Sequence, residues 1–214
     1  MADYLLVKKA EKIINLLCGE NSLGLDIGCG TGHHLHYISK KLEGSRLIGL
    51  DYSNRQISLT KGRYPNLLLI QGSMTDLAFK DHTFDFIYTI NSLHHLKSRR
   101  GQIKTIKEAC RTLKPNGLFI IHEMNLFNPL IRLYLNHIFP KTRNIDEGAE
   151  VWFDQKLLNT VEEFEVKRRE YFTFIPDFCP EFLMPLFKTI EDILEMTLIS
   201  RLGAHLMVVA QKRN

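Results

Sequence analysis

Apolar positions along the chain alternate between a helical and an extended rhythm. Leu5, Leu6, Ala10, Ile13, Ile14 and Leu17 recur at the 3.6-residue period, which predicts an amphipathic helix over 4–17. Leu23 to Ile27 is a short apolar run ending in glycines; it reads as a buried strand, followed by a helix over 31–42. The pattern then repeats, with a strand over 46–50, a helix over 53–63 that Ser53 would cap, and a strand over 66–71. A strand over 84–90 and a helix over 98–113 follow; the Pro-Asn-Gly turn at 115–117 stops that helix and leads into a strand over 118–122. Strands alternating with helices imply a parallel sheet covered on both faces. The last third departs from this, with strands expected over 164–174 and 204–211 around a helical stretch at 181–196. The expected fold is α/β, a doubly wound seven-stranded sheet, mostly parallel with an antiparallel last strand. No repeat, linker or low-complexity segment divides the chain, so 1–214 reads as one domain. Its first half is about 1–123, and additions at about 124–153 and 172–200 would cover the strand ends.

Composition narrows the function classes. Hydrophobic residues at 44 % and charged residues at 24 % describe an ordinary globular chain. No apolar run reaches the roughly 18–20 residues that span a bilayer. Lys8, Lys9, Glu11 and Lys12 interrupt the first segment, which therefore does not read as a signal peptide. Cys18, Cys29, Cys110 and Cys179 are scattered, as free thiols of a reducing cytoplasm would be, and no Cys/His cluster predicts a metal. The formal charge of +4 is mild, and the basic pairs and triplets at 99–100, 141–143 and 167–169 read as solvated surface. A nucleic-acid partner is not expected, because such proteins carry a denser basic stripe with interleaved aromatics.

Chemistry concentrates in Leu25-Asp26-Ile27-Gly28-Cys29-Gly30-Thr31-Gly32, a strand running through glycines into a helix. The glycines let the backbone turn tightly and approach a ligand, and the helix start offers free N–H groups. Nucleotide-binding folds share such turns. Two details separate the readings. The spacing is G-x-G-x-G rather than G-x-G-x-x-G, and Asp26 stands just before the first glycine. A carboxylate there repels a pyrophosphate and suits a ligand bearing ammonium and sulfonium centres. Asp51 ends the second strand, where an acid accepts hydrogen bonds from both ribose hydroxyls, and Tyr52 follows as a ring for the adenine face.

These blocks, with Gly72-Ser73-Met74-Thr75-Asp76-Leu77-Ala78-Phe79, Thr83-Phe84-Asp85-Phe86, Leu93-His94-His95-Leu96 and Leu113-Lys114-Pro115-Asn116-Gly117-Leu118, resemble class I S-adenosylmethionine-dependent methyltransferases of the small-molecule type 11 family. The resemblance covers residues 20–123 closely and the remainder only in architecture. It implies a Rossmann-like fold and S-adenosyl-L-methionine as cofactor. By position, Asp26, Gly28 and Gly30 would line the methionine half, with Cys29 and Gly32 completing the loop. Asp51 would take the ribose and Tyr52 the adenine, with Ser73 and Met74 at the adenine edge and Asn91 beside the methionine. Where the family carries an acid this chain has Ser73, which weakens the contact to the adenine amino group or leaves it to the backbone; Asp76 reads as a cap of that loop.

Methyl transfer from a sulfonium is an in-line displacement, in which positioning supplies up to about 7–11 kcal/mol. A hydroxyl acceptor also needs a base. The candidates are His94, which follows the fourth strand, and His122 with Glu123 at the end of the fifth; His95 reads as a helix-start residue. The greasy segments 126–140 and 172–187 either complete the core or form a lid over an apolar or lipid-linked acceptor. In the second case the lid rests on a membrane surface, with Lys141 and Arg143 meeting phosphates. Trp152 would cap the pocket or pack a helix. The other readings are a non-catalytic cofactor-binding partner subunit, an NAD-dependent oxidoreductase, and an RNA methyltransferase. Ile90-Asn91-Ser92-Leu93, which lacks the Asn/Asp-Pro-Pro-Tyr motif for base amines, argues against the last. The expected partner is a small-molecule substrate. Acceptor atom and oligomeric state stay open.

Overall fold

The computed structural model describes residues 2–17, 21–138, 150–175 and 181–214. Cys18, Cys179, Lys141 and Arg143 lie outside them. Helix α1 (Ala2–Ile14) leads into β1 (Leu23–Ile27), α2 (His33–Lys41), β2 (Arg46–Asp51), α3 (Asn54–Arg63), β3 (Leu68–Gln71) and β4 (Phe84–Ile90). Then come α4 (Arg99–Thr112), β5 (Leu113–Met124), α5 (Pro129–Leu133), β6 (Phe164–Phe172), α6 (Met184–Glu195) and β7 (His205–Lys212).

The strands form a seven-stranded sheet in the order β3-β2-β1-β4-β5-β7-β6. The first five pair in parallel, and β7 runs antiparallel to both β5 and β6. Central strands alternate their apolar residues between two faces. Leu25, Ile27, Ile87, Phe119 and Ile121 pack with Ile106 and Ala109 of α4 on one side. Phe86, Tyr88 and Ile120 pack with Ala10 and Ile13 of α1 and Leu35 and Ile38 of α2 on the other. Each such side chain, fully buried, stabilises the fold by about 1.5–3 kcal/mol.

Two boundaries differ from the sequence pattern. β5 begins at Leu113, before the Pro-Asn-Gly turn. Its ladder with β4 then jumps from Phe84↔Leu113 to Phe86↔Leu118, so 114–117 forms a bulge with Asn116 at φ 63°. β6 stops at Phe172 because Thr173 adopts φ 71°, which no strand accommodates. Ser53 and Ser98 cap α3 and α4, each accepting a backbone N–H from the first turn.

The C-terminal covering is built on different terms. Asn125 donates to the carbonyls of Arg201 and Gly203 at 2.9 and 2.7 Å, and Asn128 caps α5 while donating to Leu202. In α6 the buried residue is an acid, Glu191. It accepts from Tyr4 and Lys8 of α1 and from the backbone N–H groups of Phe174 (2.6 Å) and Ile175 (3.1 Å). Burial raises the Glu191 pKa, but the Lys8 and Tyr4 hydrogen bonds outweigh it and hold the group below its ordinary range. Among the described residues no helix is long and apolar enough to cross a membrane.

Candidate active site

The sheet delivers a glycine loop, two carboxylates and an asparagine to one edge, the carboxyl ends of β1, β2 and β4. The Gly28 and Cys29 amides donate to the Leu50 carbonyl at 2.7 and 3.0 Å, fastening the loop to β2. Gly28, Gly30 and Gly32 take φ of 79°, 49° and 71°, the left-handed region that glycine enters freely. Two of them also permit close packing: a Cβ would stand 2.5 Å from Ser92 Cβ at Gly28 and 2.3 Å from Thr60 Cγ2 at Gly32. Gly30 differs, for a Cβ there would meet nothing within 4 Å. At that point the loop opens on space that a ligand can enter. Cys29 turns its thiol inward beneath Gly49, where burial pushes its pKa up, and so offers the site only its backbone.

Asp51 accepts from the Gly30 and Ser53 amides, both at 2.8 Å, which fixes its carboxylate while each oxygen retains a lone pair. Tyr52 beside it is 79 % exposed. Asp26 is buried opposite its register partner Tyr88 on β4. Burial pushes its carboxyl up to about 8; the Tyr88 hydroxyl opposes that rise and the Asp51 charge adds to it. Burial therefore favours the protonated carboxyl, and a cationic ligand group would hold it ionised. Asn91 closes β4 at φ 50°, its amide donating to the His122 carbonyl at 2.8 Å, and its buried Oδ1 has no partner.

The adenine-edge residues are arranged unevenly. Ser73 spends its hydroxyl on its own turn, accepting from the Thr75 amide at 3.2 Å and meeting Thr75 Oγ1 at 2.9 Å. Met74 reaches the glycine loop, its Cε lying 3.2 Å from where a Gly28 Cβ would be. Asp76 is exposed and donates its amide to the Ser73 carbonyl, so Ser73 rather than Asp76 organises this turn.

The three candidate bases do not form one group. Glu123 accepts from the Leu93 amide at 2.8 Å and meets His94 Nδ1 at 2.7 Å. Trp152 stacks on His94 at a ring separation of 5.1 Å. Burial pulls the His94 pKa down, but the Glu123 hydrogen bond and the charges of Glu123 and Glu150 overcome it, and the net shift is upward. His122 lies on the opposite face of the sheet, as strand alternation requires of Glu123's neighbour. There it meets Phe172 edge to face at 4.7 Å and His205 at 5.8 Å. Burial, then the charges of Lys9, His205, His34 and Lys12, drive its pKa far below the usual histidine value. His95 sits in the turn Leu93–His95, four residues before α4 begins. His94, His95 and Glu150 bring one ligand atom each within 4.8 Å of one another, although His94 already commits Nδ1 to Glu123. Sequence reasoning did not find Lys9, His34 and His205, which lie in stretches read only as helix and strand; the buried phase of Lys9 and His205 in those elements was the available signal, while His34 is only half-buried.

Comparison with known proteins agrees with this geometry. Residues 25–121 match the type 11 methyltransferase family, described as a methyltransferase domain. The chain is 27 % identical over 173 residues to the demethylmenaquinone methyltransferase of Staphylococcus saprophyticus, covering 75 % of the chain and 72 % of that protein. It is 33 % identical over 101 residues to the Mus musculus protein named "Probable tRNA methyltransferase 9B", covering 47 % of the chain but only 21 % of that protein. Among solved structures, a chain of the complex between the Haloferax volcanii Trm112 methyltransferase activator and a methyltransferase superposes with a TM-score of 0.69. That likeness covers 96 % of this chain and 88 % of the other at 18 % identity. Residues 25–121, just under half of the chain, thus match the type 11 family of class I methyltransferases, a family whose cofactor is S-adenosylmethionine.

Proposed function

We propose that this protein is a single-domain, cytoplasmic methyltransferase whose acceptor is a small molecule with an apolar body, taken from a membrane surface. The observation that carries the acceptor class is the covering of the strand ends. Phe127, Leu130 and Leu133 around α5, Leu186, Ile190 and Ile193 of α6, and Met196, Leu198 and Ile199 beyond it are all exposed. Such a concentration exceeds the scattered apolar residues of an ordinary surface. Exposed Arg132 and Arg201 on the same covering give it the charge that meets lipid phosphates. Two relatives act on apolar compounds by name, the demethylmenaquinone methyltransferase above and the sterol 24-C-methyltransferase of Schizosaccharomyces pombe, 31 % identical over 59 % of this chain and 33 % of that protein.

The residues present fit the cofactor. Asp26 offers a buried carboxyl that a cationic group would hold ionised, Gly30 opens on free space, and Asn91 has an unused buried acceptor. In this reading Asp26, Gly28, Cys29, Gly30, Gly32 and Asn91 hold the methionine half, Asp51 the ribose, and Tyr52, Ser73 and Met74 surround the adenine. The cofactor supplies a methyl group made electrophilic by its sulfonium. The chain binds and orients both reactants and excludes water. His94, with Nδ1 held by Glu123, presents Nε2 as the base for an acceptor proton; His122, buried on the opposite face, has no part in that proton transfer. The test is a thermal shift with S-adenosylhomocysteine and with NAD. A ligand at 100 times its dissociation constant adds roughly 2.7 kcal/mol, and each kcal/mol moves a domain of this size by about 2–4 °C. A shift with NAD alone would sink the proposal. Flotation with anionic liposomes tests the membrane surface. Failure to float, together with a stable complex with another protein on the same face, would favour a partner-bound subunit instead.

A further inference from the structure

The face of the sheet beneath α1 and α2 holds a concentration of buried polar atoms without a hydrogen-bond partner among the described residues. Both ring nitrogens of His122, Nδ1 of His205, Nε2 of His34 and Oγ1 of Thr173 are buried without a hydrogen-bond partner. These are five of the eight such atoms among the described residues. His122 and His205 are diagonal neighbours across β5 and β7, where His122 pairs with Met207 and His205 with Met124. The Phe172 ring contacts both, at 4.7 and 5.7 Å, and Thr173 follows it directly. Lys9, 3 % exposed, and His34 reach the same region from α1 and α2, and both act electrostatically on His122. The neighbourhood abuts the cofactor edge, because the Asn91 amide donates to the His122 carbonyl and Ile90 pairs with His122 in the ladder.

Buried polar groups in folded proteins are satisfied by protein, water or ligand, so a local excess of orphans needs an occupant. Its chemistry follows from the charge around it. Lys8, Lys9 and Lys12 act on these histidines, which opposes a cationic amine. An anion would draw protons onto imidazoles that burial keeps neutral. A neutral imidazole accepts one hydrogen bond and donates another, which matches an uncharged hydroxyl on both counts.

We propose that His122, His205, His34 and Thr173 form the polar subsite of the acceptor and bind an uncharged hydroxyl group beside the cofactor edge. This rests on the methyltransferase reading for its purpose, but binding can be measured apart from turnover. The probes are 1-naphthol, 1-naphthylamine and 1-naphthoate, titrated by fluorescence with and without saturating S-adenosylhomocysteine. Wild-type protein should bind 1-naphthol at least tenfold more tightly than either analogue. His122→Phe and Thr173→Val should each lose that preference while S-adenosylhomocysteine affinity stays within twofold. Both variants should also melt at higher temperature than wild type, because an orphaned polar group has been removed. A His122→Phe protein that keeps the naphthol preference overturns the proposal, and so does a wild-type preference for the amine or the acid. Lower melting temperatures in both variants mean that water alone satisfies the cluster, which also overturns it. If wild-type protein ignores S-adenosylhomocysteine yet still selects naphthol, the cofactor reading fails and the subsite stands.

Discussion

The parallel half of the sheet and the helix that covers its end use apolar residues in opposite ways. In β1, β4 and β5, Leu25, Ile27, Ile87 and Phe119 are completely buried. In α6 the order is inverted: Leu186, Ile190 and Ile193 face outward, and Glu191 is the buried residue. One region is held by packing, the other by a charged cluster of Glu191, Lys8, Glu195 and Tyr4 between α1 and α6. Dispersion and hydrophobic burial are non-directional and tolerate volume-conserving change, whereas a buried ionic cluster depends on every partner. The covering is therefore expected to come loose before the sheet does, with its outer face left for another surface.

The largest expected effect tests that contrast directly. Glu191→Ala removes the acceptor of two backbone amides and leaves Lys8 without its nearest partner. Breaking a buried pair from one side costs about 3–5 kcal/mol. In Glu191→Ala that loss should appear as lost amide-exchange protection in 184–195, with β1–β5 unchanged. Ile87→Ala, at about 2–5 kcal/mol, should instead lower protection everywhere. The ionic region also carries a pH dependence of known sign. The Glu191 carboxyl is held below its ordinary value of 4.5, so its contribution is present above that pH and is lost as pH falls through the folded pKa. Equal loss of protection in both halves of Glu191→Ala would remove the distinction.

Asp26 should give the next largest effect. With its carboxyl pushed up to about 8, a cationic ligand must displace a proton. Affinity for S-adenosylhomocysteine should then rise with pH up to about 8 and level off above it. Asp26→Asn should bind at least tenfold more weakly, about 1.4 kcal/mol, and without that slope. Calorimetry in buffers of different ionisation enthalpy reads the released proton. His34 adds a pH dependence of folding with the same sign as Glu191. His34 sits near 4 instead of 6.5, through burial and then Lys9, so it adds stability above about pH 6.5 that is lost towards pH 4.

Much of the sheet was legible in the sequence because its strands are short, apolar and bounded by turn residues. The exceptions have physical causes. Residues 113–117 could be read as a turn, but only pairing with Phe84 makes Leu113 the first residue of β5. For the candidate bases, alternation dictates that His122 and Glu123 face opposite ways, yet the phase is set by packing against α1 and α4, which a single strand does not encode. In α6 the apolar stripe looks like a core-facing stripe. Only Glu191 at its centre, whose partners lie 187 and 183 residues away on α1, reverses the helix.

Within the glycine loop, alanine substitutions should separate packing from ligand approach. Gly32→Ala places a methyl 2.3 Å from Thr60 Cγ2, so it should destabilise the fold by more than the roughly 1 kcal/mol attached to a left-handed alanine alone. Gly30→Ala meets no protein atom and should incur only that smaller loss. Its larger effect should be on affinity for S-adenosylhomocysteine, because the added methyl points into the space the ligand needs. If Gly30→Ala binds as wild type does, the open space beside Gly30 lies outside the cofactor site.

The smallest effect on stability should come from the outer face of the covering, and it decides what that face is for. Leu186→Ser with Ile193→Ser changes exposed positions, so folding free energy should move by no more than about 0.5 kcal/mol per site. Each exposed apolar side chain that enters a lipid interface contributes by its buried area, at about 25 cal/mol per Å². The double variant should therefore float with anionic vesicles much less than wild type while melting at nearly the same temperature. Turnover of a soluble acceptor should be unchanged, and turnover of a vesicle-borne acceptor should fall. If the variant instead melts several degrees lower, α6 packs its apolar face against protein in solution. The inversion between the two regions would then be a property of the isolated chain, and the covering would belong to an interface with a partner rather than to a membrane.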